Sequence, residues 1–244
     1  MSRLDFVEFF PYIIIAVMGA IVLGVVYADK RRKNKIKEIA EKSGFEYDFN
    51  GDILIGYIGS DRAVPEERSF VLNKYSDDVS RYLYSTGISL FDNGHSKKTK
   101  NIISFPFKNS KIFLFDYYYT VGSGKNSTTY SQTVAFYKSD KKFPSFSMRP
   151  ENFFDTITSL VGYNDIDFNE FPSFSKLYYL KSKDEATVKE FFSEHRIRFF
   201  EQTPGWYMEA NENFIVLYKK GLVSVDKYQQ HIDEVTNIFN SLDI

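Results

Sequence analysis

The hydrophobic pattern along this chain changes character several times. From Phe9 to Ala28, "FFPYIIIAVMGAIVLGVVYA", twenty successive residues carry no charge. As one α-helix such a run spans about 30 Å, the thickness of a bilayer's hydrocarbon core. Eleven of the twenty are Phe, Ile, Leu or Val, which together favour insertion by about 3–6 kcal/mol before Pro11 and the glycines subtract their share. Pro11 falls in the first turn of the run, where a missing N–H costs little. Tyr12 and Tyr27 fall near its two ends, where aromatic rings meet headgroups.

A polar helix is predicted next, with Ile36, Ile39 and Ala40 on one face and Ser43-Gly44 as its stop. Residues 46–86 show no clean period: "GDILIGYIG" suits a short strand, and "AVPEERSF" a turn followed by a helical or extended piece. From Gly87 the pattern alternates. "GISLF", "NIISFPF", "KIFLFDYYYTV" and "TTYSQTVAFY" predict strands, separated by turns at Asp92-Asn93-Gly94 and Asn109-Ser110 and by the loop Gly122–Thr128. In the third, Phe113, Phe115, Tyr117 and Tyr119 share one side; Ile112, Leu114, Asp116 and Tyr118 share the other. Two apolar sides predict a central strand.

The pentapeptide "FPSFS" occurs at 143–147 and again at 171–175. In each copy Pro favours extension and Phe alternates with Ser, which predicts a strand, or an extended lead-in to one, ahead of a helix. After the first copy Pro150 and Glu151 suit a first helical turn. After the second, Ser182 and Glu185 form a capping box, and Val188, Phe191, Phe192, His195 and Phe199 follow a 3.6-residue period. "GWYME" and "NFIVLYKKG" predict a hairpin about Asn211-Glu212. A final helix places Ile232, Val235, Ile238, Phe239 and Leu242 on one face. The expected fold is therefore α+β: an N-terminal transmembrane helix, then a mainly antiparallel sheet domain with about three packing helices. The boundaries are an anchor over 1–28, a basic helical stalk over 29–44 and the α+β domain over 45–244, with a subdivision near 163–170.

Charge sets the topology. Arg3, Asp5 and Glu8 precede the apolar run; Lys30, Arg31, Arg32, Lys33, Lys35 and Lys37 follow it. A cleaved signal peptide carries its basic residues on the other side, so the run reads as an uncleaved anchor that includes Phe9, Ile13, Val17, Ile21 and Ala28. The positive-inside rule then puts the N-terminus outside and the main domain in the cytoplasm of a cell with an inner membrane. The six basic residues set topology or meet anionic lipid. Residues 29–42 have net charge +4 and residues 43–244 net −4, so the domain is expected to stand off the bilayer on its stalk. Ala16, Ala20 and Gly24 share one helix face, together with Ala28, and admit a homo-oligomer through the membrane helix.

Composition adds exclusions. A formal net charge of -1 gives no drive toward nucleic acid. Without cysteine there is no disulfide and no thiolate metal site. Phe 25 and Tyr 18 against Trp 1 read as compositional bias, and Tyr117–Tyr119 as core residues before a binding platform. "GSGKNST" lacks the first glycine and the following helix of a phosphate-binding loop. His95 sits beside a turn, His195 reads as a core or helix-end residue and His231 as half of a surface pair with Glu234. Asp165, Asp167 and Glu170 read as a solvated acidic turn, because the calcium-loop spacing is absent. No catalytic, cofactor-binding or metal-ligating residue is assigned.

The order of "FDYYY", "SQTV", "PSFSMRPE", "DIDF", "FSKLYYL", "DEATVKEFF", "GWYME" and "FIVLY" behind an anchor and a basic stalk resembles a family of uncharacterised bacterial single-pass membrane-anchored proteins with a cytoplasmic α+β domain. The resemblance covers about residues 30–244 and implies no activity. The function expected from all this is a membrane-tethered interaction or scaffold module whose partners are the lipid bilayer, an unidentified protein and a second copy of the chain. The alternatives are a tethered enzyme of unrecognised type and a lipid- or small-ligand-binding domain.

Overall fold

One helix, α1 (Arg3–Ser43), takes up both the apolar run and the basic segment without a break. The computed structural model describes residues 3–59, 78–151 and 165–244. The segment "AVPEERSF" and the residues after Glu151 expected to be helical lie outside them. By length and composition α1 can cross a membrane. Among the described residues nothing covers its apolar half: Phe9 is 58% and Leu23 71% exposed. Its last turns do the opposite, burying Ile36 and Ala40 completely. The end of the helix thus packs into the core of the sheet domain.

Behind α1 the chain forms β1 (Glu46–Asp48) and three short helices, α2 (Asp52–Ile58), α3 (Asp78–Tyr84) and α4 (Ser89–Asp92). Three long strands follow: β2 (His95–Phe107), β3 (Ser110–Val121) and β4 (Thr128–Pro150). Then come α5 (Pro172–Leu177), β5 (Tyr178–Ser182), α6 (Glu185–Phe191), α7 (Glu194–Gln202), β6 (Tyr207–Tyr218) and α8 (Tyr228–Ser241). The six strands form one antiparallel sheet in the order β1-β2-β3-β4-β5, with β6 along the other edge of β4. β4 is the spine. Its first half pairs with β3 and its second with β5, while β6 follows it across register shifts between Lys138 and Phe146.

Both sheet faces are buried, as the two apolar sides of β3 required. Ile112 and Leu114 join one core with Ile36, Ala40 and the apolar stripe of α8. Phe113, Phe115, Tyr117 and Tyr119 join the other with Leu54, Leu83 and Phe91 from α2, α3 and α4. Each such side chain contributes roughly 1.5–3 kcal/mol.

Several local expectations fail, each where tertiary contact outweighs a short pattern. "GDILIGYIG" and "GISLF" are helical: they bury Leu54 and Ile58, and Leu90 and Phe91, against the sheet. The hairpin about Asn211-Glu212 is absent. β6 runs straight through, and Glu212 takes φ 53° at an irregularity instead of turning the chain back. The two "FPSFS" copies part company. The first is strand, held on both edges by Phe146 pairing with Ser182 and Ala210. The second is helix, with Pro172 in its first turn and Phe174 buried. The expected cap at Ser182 moves to Asp184, whose carboxylate accepts from the Thr187 N–H at 3.1 Å. Asp184→Ala should lower stability by loss of this cap, checked by urea unfolding. The single helix expected through His195 breaks at Ser193. α7 starts on a new phase, buries Ile197 and Phe200, and leaves His195 exposed near its first turn.

Candidate functional site

The site is built where α1 meets the sheet. Asp116 lies mid-strand on the α1 side of β3 and is fully buried. A lone buried carboxylate is untenable, and Arg32 reaches it from α1. Its Nε donates to Oδ2 and its Nη2 to Oδ1, both at 2.7 Å. Asn101 at 2.8 Å and Thr133 at 2.9 Å complete the carboxylate's shell. Arg32 Nη1 donates to the Val223 carbonyl at 2.6 Å, tying in the segment before α8. One turn earlier, Lys100 of β2 pairs with Asp29 at 2.8 Å. These bonds fix the domain to α1 at residues 29 and 32. That is within about 6 Å, at 1.5 Å per residue, of the end of the apolar run at Ala28.

The direction of travel follows from the same contacts. α1 meets Lys100 at Asp29, and the chain just beyond α1 stacks Phe45 on Phe105 at 5.0 Å. Helix and β2 therefore advance together. The opposite ends of the strands, residues 95–99, 117–121 and 128–132, with the loop carrying Lys125, lie on the side from which the apolar run arrives.

β1 runs back toward that side and ends in a tight loop. The Asp48 carboxylate accepts from the N–H groups of Asn50, Gly51 and Ile53 at 3.0, 2.7 and 3.0 Å. Gly51 at φ 85° makes the turn. Phe49 is thrown outward, 70% exposed, with Lys33 Nζ 3.7 Å above its ring. Between this loop, α1 and β2 lies a groove of about 400 Å³, lined by Asp29, Lys33, Tyr47, Phe49, Lys98 and Lys100 among others. Its carboxylates are engaged: Asp29 by Lys100, while Asp48 at its edge is held by the backbone.

The predicted residues separate here. Phe9, Ile13, Val17, Ile21 and Ala28 are exposed on the bare half of α1, as are Ala16, Ala20 and Gly24. Lys30 and Arg31 are exposed. Lys35 pairs with Glu38 and Lys37 with Glu41 along the helix. Arg32 is turned inward as the strut just described, and Lys33 lines the groove. Phe49, Lys98, Lys100 and Asp116 were not singled out in sequence. The signal for Asp116 was present: one carboxylate inside "IFLFDYYYTV" demands a cation from elsewhere. For Phe49 there was none.

Other candidate chemistry is structural. Tyr117 and Tyr119 are core. His231 is buried and stacked on Trp206, centroids 5.3 Å apart, while Glu234 pairs with Lys219 instead. The surface pair is thus corrected: β6 and its flanks cover that face of α8. Burial lowers the His231 pKa to about 4. Glu209 of β6 is also buried, its carboxyl accepting from Leu90 N–H at 3.3 Å and Tyr218 hydroxyl at 3.2 Å. Burial pushes it up to about 7. Asp165 accepts from Leu180 N–H at 2.8 Å, and among the described residues no cluster could hold a metal ion.

No family model and no curated protein matches this chain. A solved structure does: the crystal structure of the mycobacterial trehalose monomycolate transport factor A, TtfA. The likeness has TM-score 0.54 at 10% identity and covers 86% of this chain and 93% of that one. At that identity the likeness shows the fold alone.

Proposed function

We propose that this protein is a membrane-anchored lipid-handling module whose domain rests on the bilayer surface. The carrying observation is the double clamp of Asp29–Lys100 and Arg32–Asp116. It locks the domain to α1 at the very end of the apolar run, so an inserted α1 leaves no room for a stand-off. Phe49 and the lysines then face the headgroup layer, about 5–7 Å deep. Among the described residues the other large apolar side chain exposed outside the apolar run is Ile53. That favours lipid over a broad apolar protein-docking face. The similarity to a protein named for transport of a mycolate lipid points the same way. The basic residues that follow the run support an N-terminus outside and a cytoplasmic domain. A scaffold role is the second reading, carried by the uncovered small-residue face of Ala16, Ala20 and Gly24.

The chain has no cysteine, so single-cysteine labels are clean. In full-length protein reconstituted into liposomes, fluorophores at Phe49→Cys and Lys125→Cys should be quenched by headgroup-level nitroxide lipid. A fluorophore at Asn109→Cys, in the turn at the far end of β2, should not. Equal quenching at all three sites, or none at 49, defeats the bilayer-contact reading. Reporter fusions at the C-terminus test the orientation.

A further inference from the structure

We infer that the groove between α1, the Phe49 loop and β2 holds the headgroup of one anionic glycerophospholipid drawn from the bilayer in which α1 is anchored. This deepens the lipid-handling reading and rests on it. The groove's volume of about 400 Å³ matches a glycerophosphate headgroup with the first carbons of its chains rather than a whole lipid. Three ammonium groups, from Lys33, Lys98 and Lys100, line it. The carboxylates that would neutralise them are committed. Asp29 takes Lys100 at 2.8 Å. Asp48 takes three backbone N–H groups, and Asp116 takes Arg32 and Asn101 behind the wall. Lys33 and Lys98 make no ion pair among the described residues. Lys33 instead rests over the Phe49 ring, whose π-face holds its ammonium at the rim.

Position selects the source. Lys33 follows Ala28 by five residues on the same helix, about 7 Å along the axis, which is the depth of lipid phosphates. A lipid can therefore keep its chains in the bilayer and turn only its headgroup into the groove. Apolar lining from Tyr47 and Ile102 suits the glycerol and upper chain carbons. A phosphate neutralised by choline would meet two unpaired lysines less favourably than phosphatidylglycerol, whose charge is uncompensated.

The test uses full-length protein in nanodiscs of phosphatidylcholine and phosphatidylglycerol, 4:1, released into native mass spectrometry. The wild type should retain one lipid, with phosphatidylglycerol favoured about tenfold over its share in the disc. Lys33→Ala/Lys98→Ala should bring that ratio close to the disc composition. Lys35→Ala/Lys37→Ala, on the same helix but outside the groove, should leave it unchanged. A wild-type ratio equal to the disc composition overturns the inference whatever the variants do, and so does a preference that survives loss of Lys33 and Lys98. If the Phe49→Cys label is still quenched in either case, bilayer contact stands and only the headgroup site falls. If it is not quenched, the underlying reading falls as well.

Discussion

Arg32→Ala should destabilise the domain by about 3–5 kcal/mol, while Lys30→Ala and Arg31→Ala should change stability by no more than about 0.5 kcal/mol. All three residues sit in one basic run, and a purely topological role would make them equivalent. The structure separates them. Truncating Arg32 leaves the Asp116 carboxylate buried with only the neutral donors Asn101 and Thr133, and it frees the Val223 carbonyl. Lys30 and Arg31 point to solvent and lose nothing comparable. Urea unfolding in detergent, followed by the single Trp206, measures this directly. Replacing both partners, Arg32→Leu/Asp116→Leu, should recover most of the loss, because no charge is then stranded. Equal behaviour of the three single variants would show that the clamp is not formed. In Arg32→Ala the quenching of a label at position 49 should also weaken, since the groove loses one of its two ties to α1.

The second large effect is in pH dependence, where two buried groups oppose each other. Glu209 titrates near 7 in the fold against its ordinary 4.5, so the folded state keeps a proton that the unfolded chain releases. Its contribution is complete below pH 4.5 and is lost as pH rises through 7. His231 titrates near 4 against its ordinary 6.5, so the unfolded chain takes a proton that the folded state refuses. Its contribution is complete above pH 6.5 and is lost as pH falls through 4. Each spans about 3 kcal/mol in full and about 2 kcal/mol between pH 4.5 and 6.5. In the wild type the two largely cancel across that window. Glu209→Gln removes one slope. Relative to the wild type, its stability should fall by about 2 kcal/mol as pH drops from 6.5 to 4.5. His231→Phe, which keeps a ring against Trp206, should do the reverse and lose about 2 kcal/mol as pH rises over the same range. Chemical denaturation at pH 4.5, 5.5 and 6.5 gives both difference curves. A Glu209→Gln variant whose difference from the wild type stays constant would mean that Glu209 is not held in the environment described.

Much of the framework is legible in the residues. The apolar run determines α1. The two-sided apolar pattern of "KIFLFDYYYTV" determines a central strand, and the stripe of Ile232, Val235, Ile238, Phe239 and Leu242 determines α8 and its buried face. These succeed because each signal is long and its period belongs to one kind of element. Short signals did not decide anything. "FPSFS" is strand where β5 and β6 pair with it and helix where its N-terminal proline opens a turn over the core. The same five residues have no preference strong enough to outweigh their neighbours. "GISLF" alternates at Ile88 and Leu90 like a strand, yet it forms a turn of helix because Ile88, Leu90 and Phe91 all pack into the core beneath the sheet.

The candidate site shows the same division at the level of single side chains. The sequence by itself determined that cations follow a long apolar run and that a carboxylate sits within an apolar strand. Only the tertiary structure decided that Arg32, 84 residues away from Asp116, is the cation that meets it, and that Lys33, Phe49, Lys98 and Lys100 share one groove. The physical reason is range. Periodicity records which side of an element faces the core, a property set over a few residues. A charge pair or a groove is set by which elements the packed sheet and helices bring together, and no local pattern carries that distance.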